Sequence, residues 1–117
     1  MEHLTTEAFR EKIFDYTAER DWKYKGNVPA IIDFYADWCG PCRMVAPVLE
    51  ALDEEYRGRV NIFKVNTEEE SELSSIFDIR SIPSILFIPV VDKPRMSMGA
   101  MSRQDFIRMI QDVLKVQ

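Results

Sequence analysis

The stretch PAIIDFYA, Pro29 to Ala36, is apolar at nearly every position, odd and even alike. A strand that alternates apolar and polar residues wets one face of its sheet. A strand apolar on both sets of positions is covered on both faces. This segment therefore reads as a central strand in a layered α/β structure. Its single charge, Asp33, is out of place there, because burial disfavours a carboxylate and raises its pKa.

The rest of the chain alternates around this strand. Thr6 to Arg20 reads as a helix, with Phe9, Ile13 and Tyr16/Thr17 on one face. DWKYKGN is a polar, aromatic connection that ends in a turn signal at Gly26–Asn27. From about Cys39 to Tyr56 a second helix is predicted, with Val45, Val48/Leu49, Leu52 and Tyr56 at helical spacing and Gly58 as its stop. Val60 to Asn66 reads as a strand. Thr67 and Glu70 have the T-x-x-E spacing of a capping box opening a short helix to Phe77. Ser84 to Val90 is a third strand, and Pro94 to Gly99 an edge strand. Ser102 caps a last helix with Phe106, Ile110 and Val113/Leu114 facing inward. The predicted order is α β α β α β β α, in one domain over residues 1–117. Alternating strands and helices pair in parallel through right-handed crossovers, and the final hairpin adds an antiparallel edge.

Composition narrows the function classes. The net charge is −5 and no lysine/arginine block stands out. Neither a nucleic-acid surface nor adhesion to an anionic membrane is expected. No apolar run approaches the roughly 18 residues of a membrane span. MEHLTTEAFR lacks the basic-then-apolar layout of a signal peptide, so a cytoplasmic location is expected. An exported or periplasmic protein that has lost its leader is the alternative.

Both cysteines lie in DFYADWCGPCR, Asp33 to Arg43, at the turn from the central strand into a helix. Reactive groups collect at the carboxyl ends of such strands. Cysteines at i and i+3 on a first helical turn share a face and can close and reopen a small disulfide ring. At the helix N-terminus free N–H groups and the dipole favour a thiolate on Cys39, and the thiolate is the nucleophile. Cys42 is expected to lie deeper. Pro41 loses no hydrogen bond in the first turn. Gly40 leaves room for a partner chain, and Trp38 offers an apolar lid. Zinc wants four ligands, and the chain has only two Cys and one His, the distant His3. A purely structural disulfide over so small a loop would stabilise little.

DFYADWCGPCRMVAP, followed by IRSIPSILF and then GAM, resembles the thioredoxin family over nearly the whole chain after Asn27. The resemblance implies a thioredoxin fold: a central mixed sheet of four to five strands, mostly parallel with an antiparallel edge, flanked by four helices. It implies a protein-disulfide reductase with Cys39 attacking and Cys42 resolving. Asp33 matches the buried acid beneath the disulfide and Lys64 the lysine beside it. Pro83 matches the cis-proline, with Ile82 before it offering its backbone to the substrate. Trp38, Gly40, Pro41, Gly99 and Ala100 match the binding rim, and Pro47 the proline that kinks the active-site helix. No bound cofactor is implied beyond the redox-active Cys39–Cys42 disulfide, with electrons from a thioredoxin reductase or equivalent donor. The implied partners are disulfide-containing target proteins, and the protein itself is expected to be a monomer.

Several residues depart from the family pattern. PVVDKPRMSM replaces the usual short turn between the last two strands. Ser84 follows Pro83 where Thr is usual, Tyr35 stands where many relatives carry Trp, and RDWKYKGN lengthens the connection before the central strand. Two other functions use the same sequence features. One is an exported thiol oxidase or disulfide isomerase, although Gly40–Pro41 is the pair of reducing members. The other is a redox-inert peptide-binding module, which has no need of two thiols.

Overall fold

The computed structural model describes residues 1–117. The strands are β1 (Glu2–His3), β2 (Ala30–Tyr35), β3 (Asn61–Asn66), β4 (Ser84–Ile88) and β5 (Arg95–Met98). The helices are α1 (Thr6–Lys12), α2 (Gly40–Glu55), α3 (Ser71–Ile76) and α4 (Arg103–Asp112). One five-stranded sheet runs β1-β3-β2-β4-β5. The mixed sheet and four helices are those of the expected fold. The short β1 adds a strand that the periodicity does not show, since both of its residues are exposed.

β2 is the centre. It pairs in parallel with β3 and antiparallel with β4. Its side chains divide by parity. Ile31 joins a core with Leu49 and Leu52 of α2, Phe87, and Phe106 and Ile110 of α4. Ile32 and Phe34 join a second core with Phe9 of α1, Leu73 of α3 and Leu86. Each fully buried side chain of this kind contributes roughly 1.5–3 kcal/mol. Asp33 shares the parity of Ile31, so it points to the α2 side.

The antiparallel part of the sheet begins at β4, one strand earlier than the final hairpin. The connection through α3 returns the chain to the sheet at the end where β3 left it. Ser84, the first residue of β4, pairs with Phe34 near the carboxyl end of β2.

Two local expectations are corrected. The first helix stops at Lys12 rather than Arg20. Asp15 accepts hydrogen bonds from the Thr17 N–H and hydroxyl, a local turn that competes with helix. The Thr67–Glu70 capping box does not form. The Glu70 carboxylate instead accepts from the N–H (2.8 Å) and hydroxyl (3.0 Å) of Thr6, and Thr67 donates to the Tyr35 carbonyl. Asn66 organises that turn, its Oδ1 accepting from the N–H groups of Glu68 and Glu69. The capping box at Ser102 and Asp105 does form, as the sequence predicts for Ser102.

The longer connection before β2 packs onto the second core. Trp22 lies against Phe14, ring centres 4.9 Å apart, and Tyr24 donates to the Val28 carbonyl at 2.6 Å. Any Cβ on Gly26 would collide with the Tyr24 ring that this bond fixes.

Glu70 ties the α3 start to α1, so Glu70→Ala should lower stability by about 1–3 kcal/mol. Urea unfolding should show a lower midpoint with an unchanged slope. Glu70→Gln keeps an acceptor and should recover most of the loss.

Candidate active site

Cys39 is the N-cap of α2, and its Sγ accepts from the Cys42 N–H at 3.2 Å. The two cysteines form a disulfide with Cα atoms 5.3 Å apart. Extended backbone at Cys39 places its sulfur over the open first turn, where the unpaired N–H groups lie. Pro41 sits in that turn without costing a hydrogen bond. The expected difference in depth between the thiols is absent: Cys39 is 4% exposed and Cys42 3%. They differ in what they face. Cys39 Sγ lies 3.7 Å from the Ile82 carbonyl oxygen, whereas Cys42 lines an inner cavity with Asp33.

The rim is where the sequence places it. Trp38 is 67% exposed in the turn before α2, Gly40 and Pro41 are exposed, and a Cβ on Gly40 would meet open space. Ile82–Pro83 is cis, and Pro83 is buried while Ile82 is part-exposed. The Gly99 N–H donates to the Pro83 carbonyl at 2.8 Å, which pins the end of β5 to this loop. Gly99 has φ +96°, a conformation open to glycine, and Ala100 beyond it is exposed. Pro47 lies within α2, which runs without a break from Gly40 to Glu55.

Asp33 is buried to 2% exposure, and its Oδ1 has no hydrogen-bond partner. Burial pushes its carboxyl up and the charge of Lys64 pulls it partly back, leaving it at about 7. Lys64 stands beside Asp33 in register on β3, with its Nζ 6.0 Å from the centre of the Tyr35 ring. The cavity of about 180 Å³ between Asp33 and Cys42 is also walled by Tyr35, Ala36, Asp37, Arg43, Ala46, Lys64 and Met1. Sequence reasoning marks Tyr35 only as a departure from the family. Its place on the wall follows from strand parity, since Tyr35 is two residues beyond Asp33. Met1 and Ala46 carry no sequence signal of this kind.

The arrangement can exchange electrons and a proton together. A dithiol at a helix N-terminus holds a nucleophilic thiolate. A carboxyl at about 7 can take or return a proton at neutral pH. Outside the Cys pair, no three His, Cys, Asp or Glu side chains converge as a metal site.

Comparison with known proteins points the same way. The family model Thioredoxin matches residues 1–112. Thioredoxin of Borreliella burgdorferi is 45% identical over 109 residues, covering 93% of this chain and 93% of that protein. Thioredoxin 1 of a Nostoc species is 36% identical over 100 residues, covering 86% of this chain and 84% of its own. Among solved structures, chloroplastic thioredoxin z superposes with a TM-score of 0.81 at 28% identity, over 99% of this chain and 96% of that one.

The stability of the fold should depend on Asp33 with a definite sign. Its folded pKa of about 7 lies above the ordinary 3.8, so the folded state binds the proton more tightly. Stability therefore falls as pH rises from about 4 to about 7 and levels off beyond. Asp33→Asn should remove this penalty, on the order of 4 kcal/mol at pH 8 and under about 1 kcal/mol at pH 4. Urea unfolding of both proteins at the two pH values measures it.

Proposed function

The chain belongs to the thioredoxin family and is a dithiol–disulfide oxidoreductase working through Cys39 and Cys42; we propose that Cys39 is its attacking thiol and Asp33 the proton acceptor for Cys42. The observation that carries this reading is a disulfide at the N-terminus of α2 with the Asp33 carboxyl in the same cavity as Cys42.

In the reduced protein the Cys39 thiolate attacks one sulfur of a target disulfide. A Cys39–target bond forms, and the target's other sulfur leaves as a thiolate and takes up a proton from solvent. Cys42 then passes its proton toward Asp33 and attacks the Cys39 sulfur. The Cys39–Cys42 bond forms and the target's second sulfur leaves as a thiolate, which takes up the proton that Asp33 accepted from Cys42. The target gains two electrons, both from this chain, and two protons, one from Cys42 by way of Asp33 and one from solvent. Lys64 favours the ionised form of Asp33, and hence its readiness to accept.

The target chain lies along Ile82 and Pro83 in this reading, between Trp38 and the Gly99–Ala100 turn. Gly40 and Pro41 give it clearance over the disulfide. The exposed Trp38 and the room above Gly40 support that path. A thioredoxin reductase or an equivalent donor returns the two electrons, so that the protein carries electrons between that donor and target disulfides and helps set the cell's thiol balance. A cytoplasmic location and a monomeric working state belong to the same proposal. The Gly40–Pro41 pair of reducing family members supports it.

Trapping tests the division of labour. Cys42→Ser should accumulate mixed disulfides with targets through Cys39, visible on non-reducing gels, whereas Cys39→Ser should not. Equal trapping by both variants would reverse or abolish the assignment. Asp33→Asn should slow resolution of the mixed disulfide roughly 10²-fold, the lower end of general-base contributions. It should also flatten its pH dependence near 7, as read by stopped-flow alkylation and turnover.

A further inference from the structure

His3 is the only histidine of the chain. The two residues of β1 set it in register with Lys64 of β3, and Lys64 is in register with Asp33 of β2. Registered residues on neighbouring strands share a face of the sheet. His3, Lys64 and Asp33 therefore form one row across three strands, on the side that holds Cys42. With strands about 4.8 Å apart, the two ends of the row are roughly 10 Å from each other.

Tyr35 closes the row from the same face. Its ring centre is 6.3 Å from that of His3 and 6.0 Å from Lys64 Nζ. Two spaces meet at this point. The inner one holds Asp33 and Cys42. The outer one is a polar, solvent-open cleft lined by His3, Thr5, Asn66, Glu69 and Glu70. Tyr35, Asp37 and Lys64 line both. An exposed imidazole thus stands outside a wall whose inner side carries the buried carboxyl.

We propose that His3 is a positioning residue for the exchange reaction: its charge, acting across Lys64, tunes the ionisation of Asp33 that burial and Lys64 set. The proposal rests on the reading of Asp33 as proton acceptor for Cys42. A protonated His3 adds positive charge to the row, favours the Asp33 carboxylate and so lowers the pH at which Asp33 can accept a proton. Histidine is the side chain that ordinarily changes charge between pH 5 and 8. By linkage, an ionised Asp33 favours protonated His3 by the same free energy. The charged and titratable groups lining the cleft with His3 are Lys64 from β3, Tyr35 from β2, Asp37 from the turn after β2, and Glu69 and Glu70 from the turn before α3. The last of these is engaged by Thr6. Around Asp33 the cavity adds Arg43 of α2 and the Met1 amino group, which pairs with Asp53 at 3.5 Å and stays the same in every variant below. Asp37 and Glu69 share this cleft, so replacing Asp33 alone isolates the row.

A single histidine makes the test direct, because its imidazole resonances need no sorting from others. The full-length oxidised protein is titrated by NMR as wild type and as Asp33→Asn. At roughly 10 Å, with partial screening, the coupling is about 0.2–0.5 pH unit. Because Asp33 itself sits at about 7 and is only partly ionised where a histidine ordinarily titrates, the variant should lower the His3 midpoint by about 0.1–0.2 unit. In kinetics, His3→Gln should raise the pH midpoint of mixed-disulfide resolution by a similar amount, and His3→Lys, which keeps a positive charge, should hold it down. A His3 midpoint that stays within about 0.05 unit in Asp33→Asn, where the screened Coulomb coupling requires more, overturns the proposal. So does a resolution profile unchanged in His3→Gln. In both cases Asp33→Asn still slows resolution, and the reading of Asp33 survives. If Asp33→Asn leaves resolution at its wild-type rate, that reading fails and the inference fails with it.

Discussion

Everything at the active site hangs from β2. It is hydrogen-bonded along both edges, and five of its six residues are fully buried. Such a strand cannot shift register without exposing one core to the other. Its carboxyl end is therefore fixed, and with it the turn Ala36–Trp38 that delivers Cys39 to the start of α2. A reactive sulfur that must meet a partner at close range needs that kind of anchorage.

The same strand explains the chemistry it carries. Parity sends Ile31 and Asp33 toward α2, while Ile32 and Phe34 face α1 and α3. A carboxyl on the α2 side of a fully covered strand loses its water, which is why Asp33 rises to about 7. In the proposed mechanism the molecule gives up stability at neutral pH to keep that proton exchangeable, as functional sites commonly do. The connection through α3 is the second constraint. It returns the chain at the site end of the sheet and brings Pro83 and the Ile82 carbonyl within reach of Cys39.

Much of this is legible in the residues. PAIIDFYA announces a strand covered on both faces, the cysteine spacing announces its chemistry, and Ser102 announces α4. What escapes the sequence has physical causes. β1 is too short to show a period, and the edge of β3 alone makes it a strand. The first helix carries its apolar spacing past Lys12, but Asp15 offers the backbone a competing turn. Thr67 and Glu70 have capping-box spacing, yet each finds a better partner far along the chain, Tyr35 and Thr6. The direction of β4 depends on which end of the sheet the chain returns to after α3, which no local pattern encodes. The row from His3 to Asp33 exists only once β1 is paired.

The most direct test of the account is the equilibrium reduction potential of the Cys39–Cys42 couple, measured against a glutathione or dithiothreitol buffer at pH 7. A protein-disulfide reductant of this family should give about −270 mV. A value of roughly −180 mV or higher would mean that the reduced dithiol is stabilised, and would contradict the reading in favour of an oxidant or isomerase.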